Sequence, residues 1–426
     1  MPPILRSLAR AGNRILPRCG QAYTRAPLRL LSTTIPLRNT VSSILEFDED
    51  VEMFRSVVSR FNADVVAPLT EKMDEEEHID PSIISALFDT GLMAVETPEE
   101  YGGAGASFTA AVAIVEELAK CDPSVSVLND VHNTLVNTCV RKWGSDHIKD
   151  TYLPQLSTSK LGAFALSEPG AGSDAFALRT RARKLSDGDF VIEGGKMWIT
   201  NGAEAEIFVV FANAEPEKGY RGITAFVVEK PWGVKVVKKE KKLGIRASST
   251  AVLAFDEVHV PKQNVLGIYG QGYKIAIECL NEGRIGIAAQ MTGLAQGAFD
   301  RAVSYVFNDR KQFGKYVGEF QGMQFQIAQI ACEIEAARLL LYNAARIKDG
   351  GGDFVKEAAM AKLVASQVAE KTASKAVEWM GGVGFTRDES VEKFYRDAKI
   401  GAIYEGTSNI QLQTIAKLIQ KMYTSS

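Results

Sequence analysis

The segment YEGTSNIQ, residues 404–411, contains the side chain best suited to acid–base chemistry. Glu405 lies in a stretch of small and apolar residues that includes Gly401, Ala402, Ile403 and Gly406. A carboxyl group in a largely apolar pocket is poorly solvated, so its pKa rises and it becomes a competent general base once a substrate is bound. Gly406 permits a close approach of the backbone to a ligand. The alternative is a solvated loop glutamate, the usual environment of this residue type.

Two further segments offer surfaces for a polar or an aromatic ligand. The segment ALSEPGAGSD, residues 165–174, contains Pro and Gly residues that disfavour regular structure, so free backbone N–H groups can surround carbonyl or phosphate oxygens. The segment KMWITNG, residues 196–202, places Trp198 beside Thr200 and Asn201, a flat face next to hydrogen-bonding groups that suits an aromatic cofactor. An ordinary turn and a core tryptophan are the alternatives. Neither segment has the GxGxxG or GxxxxGK[ST] pattern, which argues against Rossmann and P-loop sites.

Three successive patterns along the chain must position these segments. Residues 46–160 have helical periodicity, with Ser107 as the expected cap of a helix; residues 161–272 contain short β-rich runs separated by turn residues; residues 273–426 return to longer helical periods. The expected strands cover residues 190–193, 207–212, 224–229, 234–237 and 251–260, and KMWITNG is expected to follow a hairpin. The expected C-terminal helices cover residues 285–308, 321–349, 354–380 and 409–423.

These patterns predict an α+β multidomain chain. It has an N-terminal helical domain over residues 46–160, a middle antiparallel β-barrel or sandwich over residues 161–272, and a C-terminal four-helix bundle over residues 273–426. A heptad stripe in residues 321–349 could also drive oligomer packing, and the sequence does not decide which face meets which.

Composition excludes several other classes of protein. The chain has 426 residues, 46% apolar, with a formal net charge of −3, so no basic field favours nucleic acid. It lacks an uncharged apolar run long enough for a membrane span. The 5 Cys contain no CxxC pair, and the 4 His lack metal-ligand spacing, so we expect neither a disulfide framework nor a metal site.

Residues 1–45 differ from the rest of the chain. They contain seven Arg and no acidic residue, and Arg6, Arg10, Arg14 and Arg18 recur every four residues, opposite apolar residues. An Arg-rich, acid-free, amphipathic N-terminus is typical of a mitochondrial transit peptide, so we expect a matrix protein. The alternative is a disordered basic tail.

Taken together, the motifs resemble those of the acyl-CoA dehydrogenase family of flavoproteins. The resemblance extends through KLGIRASSTAVLAFDEVHVP (242–261), NEGRIGIAAQMTGLAQGAFD (281–300), RKQFGK (310–315), EWMGGVGF (378–385) and RDAKIGAIYEGTSNIQ (396–411), and covers nearly everything from Glu46 onwards. Within the family the chain is most similar to the short/branched-chain, 2-methyl-acyl-CoA type. The resemblance implies that the enzyme dehydrogenates short and 2-methyl-branched acyl-CoA, such as 2-methylbutanoyl-CoA from isoleucine breakdown, to the trans-2-enoyl-CoA.

The resemblance also implies the roles of individual residues. It makes Glu405 the base that removes the α-proton. The isovaleryl branch places its base immediately before the arginine matching Arg284, where this chain has Gly283, with Glu282 one residue out of register; this argues against isovaleryl specificity. Positions matching FAD contacts, some of them reaching a neighbouring subunit's FAD, are Phe164, Ala165, Leu166, Ser167, Glu168, Pro169, Gly170, Ala171, Gly172, Ser173, Trp198, Ile199, Thr200, Arg310, Gln321, Glu378, Trp379, Met380, Gly381, Gly382, Thr407, Ser408 and Asn409. Positions matching acyl-CoA contacts are Ser173, Tyr220, Tyr273, Asn281, Glu282, Gly283, Arg284 and Gly406. For Tyr220 and Tyr273, aromatic packing is the alternative.

The same resemblance implies FAD as cofactor, electron-transferring flavoprotein as electron acceptor, and a homotetramer built as a dimer of dimers. Alternatives remain open at this point. A 2-methyl-branched enoyl-CoA reductase would use the same residues in reverse, and a straight short-chain acyl-CoA dehydrogenase would share them. An acyl-CoA oxidase, or a catalytically silent FAD- and CoA-binding assembly protein, would keep the fold.

Overall fold

The computed structural model describes residues 46–424, which form helices, then a sheet, then helices again. The predicted transit peptide, residues 1–45, lies outside the described residues. None of the helices within 46–424 has both the length and the apolar character that a bilayer span requires. The helices of the first part are α1 (Glu49–Phe61), α2 (Thr70–Glu76), α3 (Pro81–Asp89), α4 (Phe108–Ala119), α5 (Pro123–Asp130), α6 (Thr138–Trp143) and α7 (Asp146–Thr158), with a π-helical turn at Val131–Asn137 between α5 and α6.

Local sequence explains how these helices begin. The Ser107 hydroxyl accepts a hydrogen bond from the Ala110 N–H, which confirms the predicted cap of α4. All twelve residues of α4 are buried, so this helix is the centre of the N-terminal part.

The middle of the chain forms one eight-stranded sheet. Its strands are β1 (Gly162–Ala165), β2 (Arg181–Lys184), β3 (Phe190–Thr200), β4 (Ile207–Asn213), β5 (Ile223–Glu229), β6 (Val234–Lys239), β7 (Thr250–Val260) and β8 (Val265–Leu266). The strand order is β6-β7-β3-β2-β4-β5-β8, with β1 paired to β4. Most pairs are antiparallel, as predicted, but β1 and β2 each pair with β4 in parallel. Phe208, Phe226 and Leu253 are among the buried side chains of this sheet's own core.

The C-terminal part contains the predicted bundle of long helices. Its elements are α8 (Gly272–Asn308), a hairpin of β9 (Lys311–Gln312) and β10 (Lys315–Tyr316), α9 (Gln321–Asp349), α10 (Val355–Met380), α11 (Gly382–Phe385), α12 (Val391–Ala398) and α13 (Ser408–Thr424). Helix α10 packs against α8, α9 and α13. The predicted bounds of α9 are confirmed, and Ile330, Ile334 and Leu341 of its heptad stripe are buried.

Helix α8 joins the two helical parts and differs most from its prediction. It begins at Gly272 rather than Ile285, and it packs against α4 as well as α10. At Gly293 and Gly297, an added β-carbon would lie 2.0 Å from the Glu116 carbonyl oxygen and 2.2 Å from that of Lys120. These glycines therefore allow α8 to approach the backbone of α4 closely.

Candidate active site

Glu405 lies in the turn that precedes α13, in a backbone conformation that glutamate rarely adopts. Its φ is +50°, and Gly406 follows with φ +84°. A left-handed non-glycine residue is strained, so the surrounding structure must hold it in place. Such strain clusters at functional sites, and here it falls on the predicted base.

The Glu405 carboxylate is directed into the protein, against helix α8. Its Oε2 atom is buried and has no hydrogen-bond partner among residues 46–424. A β-carbon at position 283 would lie 2.8 Å from this oxygen, so Gly283 makes the space that the carboxylate occupies. A buried carboxylate oxygen without a partner is costly to the fold, and it is free to accept a proton from a ligand.

Burial sets the protonation of Glu405. It raises the pKa to about 7, against the opposing effects of the Lys362 and Arg284 cations. A base with a pKa near the working pH combines a substantial ionised fraction with a strong affinity for the proton. A carboxyl group with this pKa has the protonation properties of a general base at neutral pH.

A second carboxyl group, Asp130 at the end of α5, faces the same helix. It is buried and accepts a hydrogen bond of 2.9 Å from the Thr134 hydroxyl, and a β-carbon on Gly286 would lie 2.0 Å from its Oδ1. Burial, with the negative charge of Glu405, raises the Asp130 pKa to about 8. Gly283 and Gly286 are one turn apart on α8, so both carboxyl groups pack on one helix face. Asp130 was not predicted from the sequence; it lies at the end of a helix whose residues are all buried.

Lys362 on α10 was also missed. It is fully buried, and its ammonium group donates a hydrogen bond of 2.7 Å to the Gly406 carbonyl oxygen. The available signal was its position in a stripe of Ala358, Ala361 and Ala365, because a lysine on the buried face of a helix is rare without a partner.

The Gly-rich segment forms a loop anchored to β3. Glu168 and Ala171 exchange two backbone hydrogen bonds, and the Lys196 ammonium group donates to Glu168 Oε1 at 2.7 Å. The Glu168 carboxylate also accepts from the Arg179 and Thr180 N–H groups, which directs it into the fold. A β-carbon on Gly170 or Gly172 would meet no atom of the described chain within 4 Å, so the outer face of the loop offers space for a ligand.

Trp198 lies within β3 rather than after a hairpin, at an irregularity in the pairing with β7. Its φ is +62° and its side chain is 49% exposed, whereas its neighbour Ile199 is buried. A large aromatic residue held outward in a strained conformation is not core packing. The position instead suits a flat ligand, with Thr200 close in sequence.

The structure brings Arg310 together with the predicted 378–382 segment. Its guanidinium group donates to the Trp379 carbonyl oxygen, and a β-carbon on Gly381 would lie 2.6 Å from its Nη2. Trp379 and Met380 are buried, Gly382 is exposed, and Glu378 pairs with Lys375 at 2.6 Å. Gln321, at the start of α9, is exposed.

The predicted acyl-CoA contacts fall into two groups. Tyr220 and Tyr273 pack edge to face at 5.1 Å, with Tyr220 46% exposed, and Phe176 from the segment after the Gly-rich loop packs on Tyr273. Ser173 is exposed at the end of that loop.

Residues 281–284 form the second group, beside Glu405. Asn281 Oδ1 accepts a hydrogen bond of 2.9 Å from Arg284, whose Nε is buried without a partner among the described residues. Glu282 instead pairs with Lys142 and Lys348, so its carboxylate is directed towards the N-terminal helices.

The start of α13 is the last predicted contact region. The Ile410 N–H donates to the Thr407 hydroxyl oxygen at 3.3 Å, so Thr407 caps the helix and Ser408 and Asn409 form its first turn. N–H groups at a helix start attract anionic groups. The ligand-binding roles of all these residues stay predictions.

Comparison with known proteins supplies the family context. Family models described as the N-terminal, middle and C-terminal domains of acyl-CoA dehydrogenase match residues 48–160, 163–258 and 270–420. The short/branched chain specific acyl-CoA dehydrogenase, mitochondrial, of Rattus norvegicus is 56% identical, covering 88% of this chain and 87% of its own. The short-chain specific enzyme of the same organism is 41% identical, covering 98% and 99%. The solved butyryl-CoA dehydrogenase of Megasphaera elsdenii is 39% identical, with a TM-score of 0.86 and coverage of 88% and 99%.

Proposed function

The chain belongs to the acyl-CoA dehydrogenase family and is a flavin-dependent oxidoreductase, and on this basis we propose that its substrates are short 2-methyl-branched acyl-CoA thioesters such as 2-methylbutanoyl-CoA. The product is the corresponding trans-2-enoyl-CoA. The observation that carries the proposal is the buried Oε2 of Glu405, which has no hydrogen-bond partner within residues 46–424. The higher identity to the short/branched chain relative than to the short-chain one, 56% against 41%, supports the branched substrate.

The residues present fit FAD, the cofactor of this family. The exposed Trp198 offers a face for the ring system, and the open outer side of the loop at Gly170 and Gly172 offers backbone N–H groups to its polar atoms. Arg310, beside Gly381, supplies a cation for the phosphate groups. When bound, FAD supplies the two-electron acceptor that this oxidation requires.

Glu405 performs the proton chemistry. Its carboxylate accepts the α-proton of the thioester, and burial makes it a stronger base than an exposed glutamate. Glycine at 283 lets the carboxylate lie against α8, and glycine at 406 lets the backbone after the base approach a ligand closely. Exclusion of water by this packing strengthens every electrostatic contact with the developing negative charge on the thioester.

The test is anaerobic mixing of the FAD-loaded enzyme with 2-methylbutanoyl-CoA. We expect the flavin absorbance to bleach, and we expect Glu405→Gln to bind FAD and acyl-CoA while losing rate by at least about 10²–10⁴-fold, because a positioned base is worth that much. Glu370→Gln, which removes an exposed partner of Lys399, is the matched control and should bleach normally. A fully loaded wild type that does not bleach refutes the proposal and favours a silent assembly protein.

Substrate and direction are resolved with the same material. A panel of straight and 2-methyl acyl-CoAs ranks chain preference, and straight-chain preference would favour the short-chain alternative. If turnover of an enoyl-CoA with a reduced electron carrier is faster than the forward reaction, the enzyme is a reductase. Rapid release of hydrogen peroxide in air would identify an oxidase.

The proposed setting is the mitochondrial matrix, with isoleucine breakdown as the source of substrate and electron-transferring flavoprotein as acceptor. The short/branched chain relative of Rattus norvegicus is named as mitochondrial, and the Arg-rich residues 1–45 support the same location. A homotetramer is supported by exposed apolar side chains on α9 and α13, including Phe325, Leu412 and Met422. Light scattering of the purified enzyme tests the assembly, and reduction of electron-transferring flavoprotein tests the partner.

A further inference from the structure

The Lys362 side chain is an unusual feature next to the base. It is fully buried in α10, and its hydrogen-bond acceptor is the main-chain carbonyl of Gly406 rather than a carboxylate. A buried ammonium group is strongly destabilising unless nearby negative charge or oriented dipoles compensate it. The fold therefore retains a destabilising buried cation, Lys362, in contact with Gly406, the residue after Glu405.

A second buried side chain acts on the same turn. Gln411, in α13, donates from Nε2 to the carbonyl oxygens of Glu405 at 3.0 Å and Gly406 at 2.8 Å. Lys362 and Gln411 thus hold, from two helices, the two carbonyls of the left-handed Glu405–Gly406 turn. These contacts supply the surrounding constraint that a strained backbone requires.

The two side chains differ in charge, and only Lys362 has a positive charge that acts on the Glu405 carboxylate. Lys362 is the stronger of the two cations that oppose the burial-driven rise in the Glu405 pKa, and Arg284 on α8 is the other. Burial lowers the pKa of Lys362 itself to about 8, against the opposing effect of Glu405. Within residues 46–424, Asp130 from α5 and the Tyr404 phenol also face the site, and burial and the charge of Glu405 raise the pKa of both groups.

We propose that Lys362 is a positioning residue for the base: its ammonium group holds the Gly406 carbonyl, and its positive charge stabilises the ionised form of the Glu405 carboxylate. The proposal rests on the proposed function, because it assigns Lys362 a role through Glu405. Gln411 shares the first task and not the second.

Three variants separate the two tasks. Lys362→Gln keeps a hydrogen-bond donor and removes the charge, Lys362→Met removes both, and Gln411→Leu removes the uncharged contact. The measurement is the anaerobic rate of flavin bleaching between about pH 5.5 and about pH 9. The limiting rate is divided by the acyl-CoA dissociation constant, because this ratio depends on the pKa of the base in the free enzyme. Infrared difference spectra of wild type against Glu405→Gln titrate the same carboxyl group without turnover.

We expect both Lys362 variants to move the acidic limb of the profile, and the infrared titration, upward by at least about one pH unit, because a neighbouring opposite charge lowers a carboxyl pKa by about 1–3 units. Gln411→Leu should lower the rate at every pH and leave the limb in place. At pH values above the acidic limb, Lys362→Gln should bleach faster than Lys362→Met, because glutamine keeps a hydrogen-bond donor.

An unshifted limb in Lys362→Gln, with FAD content and thermal unfolding like wild type, overturns the proposal and leaves Lys362 a structural residue. An equal shift in Gln411→Leu also overturns it, because the shift would then come from the moved turn and not from the charge. If Lys362→Met fails to fold, the Lys362→Gln comparison still decides. Failure of wild type to bleach contradicts the proposed function instead, and the infrared titration then tests the Lys362 charge independently.

Discussion

Replacing Gly283 by alanine should reduce activity without weakening the fold. The added β-carbon would lie 2.8 Å from Glu405 Oε2 and 3.0 Å from Leu135 Cδ2. Non-bonded carbon contacts are optimal at about 3.5–4.0 Å, so the carboxylate must move by roughly half an ångström or more. The carboxylate is the free end of a side chain and can move without unfolding anything.

The two consequences have different magnitudes. A misplacement of about 1 Å costs about 10²-fold in rate, so roughly half that distance should cost about tenfold, or about 1.4 kcal/mol in the activation free energy. Alanine is favoured over glycine in a helix interior by about 0.8–1.0 kcal/mol, which offsets much of the strain. The expected result is a tenfold slower bleaching of the flavin with a free energy of unfolding within about 1 kcal/mol of wild type.

The assay pairs anaerobic stopped-flow bleaching with urea unfolding on the same preparations. Gly322→Ala is the control, because Gly322 lies in α9 and a β-carbon there would meet no atom of residues 46–424 within 4 Å. It should gain stability and keep its rate. If Gly283→Ala bleaches at the wild-type rate, the position of Glu405 against α8 is not the one required for the reaction. If it loses several kcal/mol of stability, the carboxylate does not simply move aside to make room for the β-carbon.

Three other outcomes follow from individual ionisable side chains. Arg310→Ala should weaken FAD retention, and unchanged flavin content after dialysis would contradict the proposed phosphate contact. Lys196→Met should destabilise the fold by about 3–5 kcal/mol in urea, because it strands the buried Glu168 carboxylate, and a smaller loss would mean that the backbone N–H groups alone satisfy it. Asp130, with a pKa near 8, holds a proton in the folded chain that the unfolded chain releases above about pH 4, so folding stability should fall as pH rises towards 8. Asp130→Asn should remove that decline, so its melting temperature should rise relative to wild type more at about pH 8 than at about pH 5. An equal change in melting temperature at both pH values would contradict the prediction.

Elements with a long, regular apolar stripe were predictable from the sequence, whereas some short or interrupted elements were missed. Helix α9 has its predicted bounds because its heptad residues face the bundle core. Strand β2, Arg181–Lys184, was missed because only Ala182 is buried, so its apolar pattern is too short to detect. The early start of α8 was missed because Asn281 and Gly283 lower helix propensity locally, and packing against α4 and α10 outweighs that preference.

The site was predictable to the extent that one segment contains it. Glu405 and its glycine are adjacent in the sequence, and their apolar surroundings indicated a raised pKa. Lys362 and Asp130 come from other helices, 43 and 275 positions before Glu405 in the printed sequence, so their proximity depends on the tertiary packing. Periodicity within one element carries no information about such contacts.

The glycines of α8 explain how that packing and the chemistry are coupled. Each costs about 1 kcal/mol relative to alanine in a helix interior, yet two of them admit carboxyl groups of the site and two admit the backbone of α4. Because the same rigid helix makes both kinds of contact, the distance between α8 and α4 also fixes where Glu405 and Asp130 rest. A substitution at Gly293, where an added β-carbon would lie 2.0 Å from the Glu116 carbonyl oxygen and 2.9 Å from Ala119 Cβ, should therefore displace the helix and lower the bleaching rate as well as the stability. Gly283→Ala, by contrast, should affect the rate alone, and a destabilised Gly293 variant that bleaches at the wild-type rate would show that α8 does not transmit the packing to Glu405.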